Sequence, residues 1–336
     1  MNHSSTRWSS NITLLLLSCV VALLLLEQGF RIWLFGWHAF SVEDMRNNVP
    51  INNAGFMQQS AFDDIYWELK PDLDVSFKLA RLTTNHAGLA DKEYTQHKPA
   101  DTYRIAVLGD SYSMASGVDT DKSFHALIET ALNQSEKNTR HEFINFAVGG
   151  FGLERYNAML EHKVPAWQPD ALLVGYCAFN DHFALPPKTG SVPPFDPPRV
   201  DGFWMSYVKE YFDMQQRADK EIAQPLGEAQ FVFIDREFAR TRSLADALKP
   251  GMPILLAYLD NRPHPQQDID RIQTIAQQHG MAFVDTTQDF ANTRIDDVSI
   301  HLLDSHPNAF AHTLFSKRIM DAIQKQHLFN TLGAPQ

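Results

Sequence analysis

A chain of 336 residues can form one large domain or two small ones, and its 44% hydrophobic and 21% charged content suits a globular protein with a core. A formal net charge of −11 argues against nucleic acid as a partner, because phosphate contacts need clustered lysine and arginine. Two widely separated cysteines, Cys19 and Cys177, exclude a disulfide framework and leave the redox compartment open.

The first element is an apolar run, NITLLLLSCVVALLLL, from Asn11 to Leu26. Trp8 precedes it, and Trp33 and Trp37 follow it. From Trp8 to Trp33 a helix would extend about 37 Å, which matches a hydrocarbon core plus the two interfaces where Trp prefers to sit. A cleaved signal peptide would need a small-x-small site, and LLLLEQGF has none. A lipoprotein would use Cys19, but the run stays apolar well beyond it. Residues 1–40 are therefore expected to be an uncleaved anchor, with 8–33 in the membrane. Arg7 on one side and Arg31 and Arg46 on the other leave orientation undecided by charge. The short N-terminal tail favours an N-terminus in the cytoplasm.

Residues 41–100 are mixed and polar, broken by Pro50, Pro71 and Pro99, and are expected to be a linker with one edge strand in FKLARLTTN (Phe77 to Asn85). From residue 101 the pattern becomes regular. RIAVLGD, EFINFAV, ALLVGYCAF, PILLAYL and MAFVD read as five strands. Helical patterns lie between and after them: SFHALIETAL with Ser123 as its cap, LERYNAMLEHKV, a helix around IDRIQTIAQQHG ending on Gly280, and AFAHTLFSKRIMDAI. Such alternation predicts an α/β domain over 101–332, with a parallel sheet covered on both faces. Residues 182–251 begin with proline-dense LPPKTGSVPPFDPPRVDG and break the alternation, so an insertion or lid is expected there.

Chemistry-bearing residues fall at the ends of the predicted strands. Ser111, in RIAVLGDSYSMASG, follows a strand, so its hydroxyl would stand at the carboxyl edge of the sheet. A serine hydroxyl needs a base at neutral pH. His306 in LLDSHPNAFAH is the candidate, with Asp304 two residues before it to hold the imidazole tautomer. Acyl transfer also needs donors to the developing oxyanion. NFAVGGFG offers glycine backbone at Gly149, Gly150 and Gly152, and AFND offers the Asn180 amide. Asp110 reads as structural, bonding nearby backbone N–H groups. His301, His306 and His312 match no zinc spacing, so neither metal nor organic cofactor is expected. GFGLER has Arg155 where a dinucleotide loop needs its last glycine, and that reading is set aside.

These blocks resemble the SGNH hydrolases, also called GDSL esterases and lipases: Gly109-Asp110-Ser111, Gly150 five residues after Asn145, Asn180-Asp181, and Asp304 and His306 in DSHPN. The resemblance covers roughly residues 101–326. It implies a three-layer α/β/α fold with a five-stranded parallel sheet, a Ser111–His306–Asp304 triad, and an oxyanion hole from the Ser111 and Gly150 N–H groups and the Asn180 side chain. Two positions depart from the family pattern. Ala178 stands where glycine is usual two residues before Asn180, and the last block is D-x-H rather than D-x-x-H. The shorter spacing resembles membrane-linked relatives that acetylate bacterial exopolysaccharides. The expectation is a serine esterase acting on acyl or O-acetyl esters of a glycan or lipid. Its anchor would lie in a bacterial inner membrane and its catalytic domain in the periplasm. The alternatives are a polysaccharide O-acetyltransferase using the same residues and an inactive envelope scaffold; no protein partner is legible.

Overall fold

The computed structural model describes residues 3–47, 55–136, 138–183, 202–218, 225–262 and 264–329; of residues 3–10 only the helical backbone is described. Most of the proline-dense start of the expected insertion, and residues 219–224 within it, lie outside the described residues.

The elements follow in chain order. Helix α1 (His3–Phe35) is followed by a short 3-10 turn and α2 (Val42–Asn47). Two antiparallel hairpins come next, β1 (Met57–Gln59) with β2 (Trp67–Leu69) and β3 (Asp74–Phe77) with β4 (Ala80–Thr83). The regular part runs β5 (Thr102–Gly109), α3 (Phe124–Ser135), β6 (Arg140–Asn145), α4 (Leu153–His162), β7 (Ala171–Cys177), α5 (Tyr207–Ala218), α6 (Glu228–Leu248), β8 (Ile254–Leu259), α7 (Gln266–Gln278) and β9 (Ala282–Asp285). It closes with α8 (Ile295–Val298), the hairpin β10 (Ser299–His301) and β11 (Asp304–Pro307), and α9 (Ala309–Lys325).

The five main strands form one parallel sheet in the order β6-β5-β7-β8-β9. Both faces are covered, so each strand is apolar throughout and its residues alternate between two cores. Ala106, Leu108, Leu172, Val174, Leu256 and Tyr258 face the layer with α4, α6 and α7. Ile105, Val107, Leu173, Leu255, Ala257 and Leu259 face the layer with α3 and α9. The result is a three-layer α/β/α arrangement. The chain steps from β5 to β6 on one side and then crosses back past β5 to β7 on the other, and the carboxyl end of β5 at this reversal is where such a sheet opens a crevice.

Three expectations need correction. β4 pairs with β3 alone, so FKLARLTTN is no edge strand of the main sheet; its alternation reflects a separate hairpin. Nor is residues 41–100 merely a linker where it is described. Ile65, Leu69, Phe77, Leu82 and Ala90 are buried in the larger core, and Arg104, fully buried against Glu142, holds the carbonyls of Thr95 and Gln96 to the sheet. The expected insertion ends earlier than residue 251. A parallel β7-to-β8 step needs a crossover, and α6 supplies it, burying Phe231, Ile234, Phe238, Thr241 and Ala245 at helical spacing.

Ser123 occupies the N-cap position of α3, but its hydroxyl donates to the Thr120 carbonyl. The first helical N–H, of Phe124, donates instead to Nδ1 of buried His312. That N–H is one of the unpaired donors at any helix start, and a tertiary partner replaces the local one.

Residues Asn11–Phe40 make a helix long and apolar enough to cross a membrane, with mean hydropathy 2.1. From Ile12 to Leu26 its large apolar side chains are exposed all round. Its carboxyl end is anchored by polar bonds. Arg31 donates to the carbonyls of Phe203 (2.9 Å) and Met205 (2.7 Å), and Glu27 accepts from Arg31 and from the Tyr207 N–H, capping α5. Beneath this clamp Phe35, Met45 and Tyr207 form a small core joined by Leu79 and Leu303.

Candidate active site

β5 ends at Gly109, where no larger residue fits. A Cβ there would lie 2.1 Å from Ser113 Oγ, and one at Gly175 on β7 would meet the same atom at 2.1 Å. The turn after β5 thus tucks Ser113 between two strands, and Ser111 is presented at the sheet edge. Asp110 is buried under this turn and accepts the Tyr112 N–H at 2.8 Å. Burial raises the Asp110 carboxyl above its ordinary range, with that backbone bond opposing.

The structure brings Ser111, His306 and Asp304 together across 195 positions of sequence. His306 Nε2 lies 2.9 Å from Ser111 Oγ, and His306 Nδ1 lies 2.5 Å from Asp304 Oδ1. The hairpin β10–β11 carries Asp304 and His306, and Asn308 caps α9 immediately after by accepting the Ala311 N–H. The D-x-H spacing has a local explanation. Asp304 Oδ1 also accepts the His306 backbone N–H at 3.1 Å, so the carboxylate folds over its own turn and one oxygen serves both nitrogens. The nearby His301 is held neutral by burial, its pKa falling to about 4 despite the opposing charge of Asp304.

Gly149 and Gly150 follow β6, and Gly149 packs beside Ser111; a Cβ on it would touch Ser111 Cβ at 3.8 Å. Gly150 has φ +78°, the left-handed region that glycine adopts without strain. Among the described residues, neither the Ser111 N–H nor the Gly150 N–H has a protein acceptor. The Asn180 amide follows β7 and lines the same cleft, where Nδ2 donates one hydrogen bond to the Phe151 carbonyl at 2.9 Å. The same amide also bonds the buried Asp110 carboxylate and opposes the rise of its pKa. The adjacent Asp181 is buried and accepts the Cys177 N–H (2.7 Å) and the Tyr156 hydroxyl (3.1 Å), which fixes the end of β7. Burial, reinforced by Asp110, pushes its carboxyl well above the ordinary range. Cys177 is buried in β7. His312 lies behind Phe124, apart from His306 in function, held neutral by burial with a pKa of about 3.

Ser111, Gly149, Gly150, Asn180, Asp304 and His306 line a cleft of about 380 Å³, together with Phe77, Lys78, Tyr112, Phe179, Arg262 and Leu303. Phe179 is exposed at the mouth, with the Arg262 guanidinium 5.4 Å from its ring. Arg262 in turn is held by buried Asp260, which also accepts from His264.

No protein-family model and no curated protein sequence matches the chain. Among solved structures it is similar to TesA, at 15% identity and TM-score 0.41, covering 66% of this chain and 98% of that one. It is also similar to a two-domain esterase (CEX) active on acetylated mannans, co-crystallized with mannopentaose, at 13% identity and TM-score 0.46, covering 70% of this chain and 52% of that one. A catalytic mutant of Axe2, an acetylxylan esterase from Geobacillus stearothermophilus, is similar at 16% identity and TM-score 0.40, covering 66% and 94%.

Two residues from before the regular domain belong to the site and were not foreseen. Trp67 Nε1 donates to the Gly149 carbonyl at 3.2 Å, and the Arg155 guanidinium lies 4.0 Å from the Trp67 ring, so the glycine loop is clamped from outside. Lys78 reaches Asp304 Oδ2 at 2.7 Å, both side chains 3% exposed. Burial lowers the ammonium pKa, and Asp304 opposes that shift. For Asp304, burial alone would raise the carboxyl, but the His306 bond and the Lys78 charge hold it well below the ordinary carboxylate range.

Proposed function

We propose that the protein is a membrane-anchored serine esterase that cleaves acyl or O-acetyl esters of a glycan or lipid. The single observation that carries this reading is the 2.9 Å approach of His306 Nε2 to Ser111 Oγ, with the other ring nitrogen on a buried carboxylate. Nucleophile, base and orienter then stand in the order acyl transfer requires.

Ser111 Oγ attacks the ester carbonyl while its proton passes to His306 Nε2. Asp304 keeps the opposite ring nitrogen protonated and stabilises the imidazolium. The carbonyl oxygen becomes an oxyanion beside the Ser111 and Gly150 N–H groups and the Asn180 side-chain amide. Collapse releases the alcohol, protonated by His306, and leaves an acyl-serine. Water, deprotonated by His306, repeats the sequence and releases the acid. A cleft of about 380 Å³ suits a short acyl group and part of its alcohol.

The anchor reading rests on α1. An all-round apolar helix cannot face water over that length, and lipid is the solvent that suits it. The polar clamp at Glu27 and Arg31 would hold the catalytic domain close to one membrane face, which we place in the periplasm.

The test is hydrolysis of a short-chain aryl ester by the full chain in detergent. The full chain is required because Phe35 of α1 is part of the small core under Leu79 and Leu303. Wild type should turn over, and Ser111→Ala should lose at least about a thousandfold in kcat. Equal rates for the two proteins would exclude the reading.

A further inference from the structure

The fold of the D-x-H turn leaves one oxygen of the triad carboxylate unused. Asp304 Oδ1 serves both the backbone N–H and the ring of His306, while Oδ2 points into protein where Lys78 Nζ meets it at 2.7 Å. The same ammonium is 3.2 Å from His306 Nδ1. A carboxylate beside an imidazole raises its proton affinity; a cation at this distance opposes that effect.

The placement of Lys78 is costly and therefore informative. Lys78 and Leu79 form the two-residue turn between β3 and β4, with φ of +53° and +64°. Two-residue hairpin turns of this hand favour glycine and asparagine, yet here both positions carry long side chains. The turn is locked from both sides. Leu79 packs into the core under the anchor, and Gly117, at φ +84°, lets the nucleophile loop close against Ile300 and Lys78 Cβ. Backbone conformations of this kind persist where the surroundings over-determine them, and they cluster at functional sites.

We propose that Lys78 is a positioning residue of this site: its ammonium fixes the second oxygen of Asp304 and offsets the carboxylate charge felt by His306. The inference rests on the triad reading above and extends it with a fourth group. The Tyr112 ring packs 5.5 Å from the His306 ring, and Asp110, His301 and His312 interact with His306 electrostatically. They stay in place when Lys78 alone is changed, so the lysine charge is the variable.

The experiment compares wild type, Lys78→Met and Lys78→Gln as full chains in detergent. Glutamine keeps a hydrogen-bond donor and removes the charge. The His306 imidazole is titrated by NMR, and kcat/KM for the aryl ester is measured against pH, normalised to sites reactive with a fluorophosphonate. Both variants should titrate His306 higher than wild type does, and the acidic limb of kcat/KM should move up with it. A lysine that merely filled space would change yield or melting temperature and leave the His306 titration where it was; that result overturns the inference. Because the NMR titration needs no turnover, a shifted His306 in an inactive wild type would retire the esterase reading and uphold the lysine coupling.

Discussion

Replacing Asp304 by asparagine should do two separable kinds of damage. The first is chemical: a neutral amide no longer fixes the His306 tautomer or stabilises the imidazolium, and in hydrolases with a Ser–His–Asp triad this change costs about 10⁴ in kcat. The second is structural, because Lys78 is left with a buried charge and no counter-ion. At the observed 2.7 Å and an effective dielectric of about 20, the attraction lost is about 6 kcal/mol. Both side chains are 3% exposed, so solvent cannot replace the missing partner without rearrangement, and breaking one side of such a pair costs about 3–5 kcal/mol. Adding Lys78→Met to Asp304→Asn removes the orphaned charge. The double variant should recover most of the lost stability and none of the lost rate. Urea unfolding of the four proteins of the cycle, with kcat measured on each, checks both halves. The reasoning fails if Asp304→Asn/Lys78→Met is no more stable than Asp304→Asn alone.

If the Asn180 amide serves the oxyanion, Asn180→Ala should lower kcat by about 10²–10³ with little change in KM, since such a donor acts only once charge develops; an unchanged kcat would remove it from the oxyanion site. Folding stability should also fall with acid. His125 and His312 are held neutral by burial with pKa values of about 3, and His301 at about 4, whereas the unfolded chain takes up those protons near pH 6.5. Their contribution is complete above pH 6.5 and is lost as pH falls toward the folded values, by up to about 2.7 kcal/mol per histidine between pH 6.5 and 4.5. The urea midpoint should be clearly lower at pH 5 than at pH 7; equal midpoints would show that these rings reach solvent.

Much of this could be read in the sequence, and the limits are physical. The five apolar runs were legible because strands buried on both faces need no alternation, and the spacing of their intervening helices implied parallel pairing. Ser111 and Asn180 announced themselves as polar groups just past the ends of those runs, and Asp304 and His306 as an acid and a base just before the closing helix. Lys78 did not. Its partners lie more than 220 positions away, and the Lys78-Leu79 turn lacks the glycine or asparagine that signals a hairpin. Trp67 was hidden for the same reason, since its bond to Gly149 is purely tertiary. Helix α6 was absorbed into the expected insertion because a proline-dense stretch precedes it, although its buried phenylalanines keep helical spacing. At Ser123 the local capping rule chose the right residue for the boundary and the wrong partner, since His312, 188 positions later, takes the N–H.

The most direct measurement is the site of covalent capture. The full chain in detergent is treated with a fluorophosphonate, digested, and the adduct located by mass spectrometry. A single adduct on Ser111 is expected, formed more slowly in His306→Ala and absent in Ser111→Ala. An adduct on another residue, or equal labelling of Ser111→Ala and wild type, would contradict the assignment of Ser111 as the nucleophile.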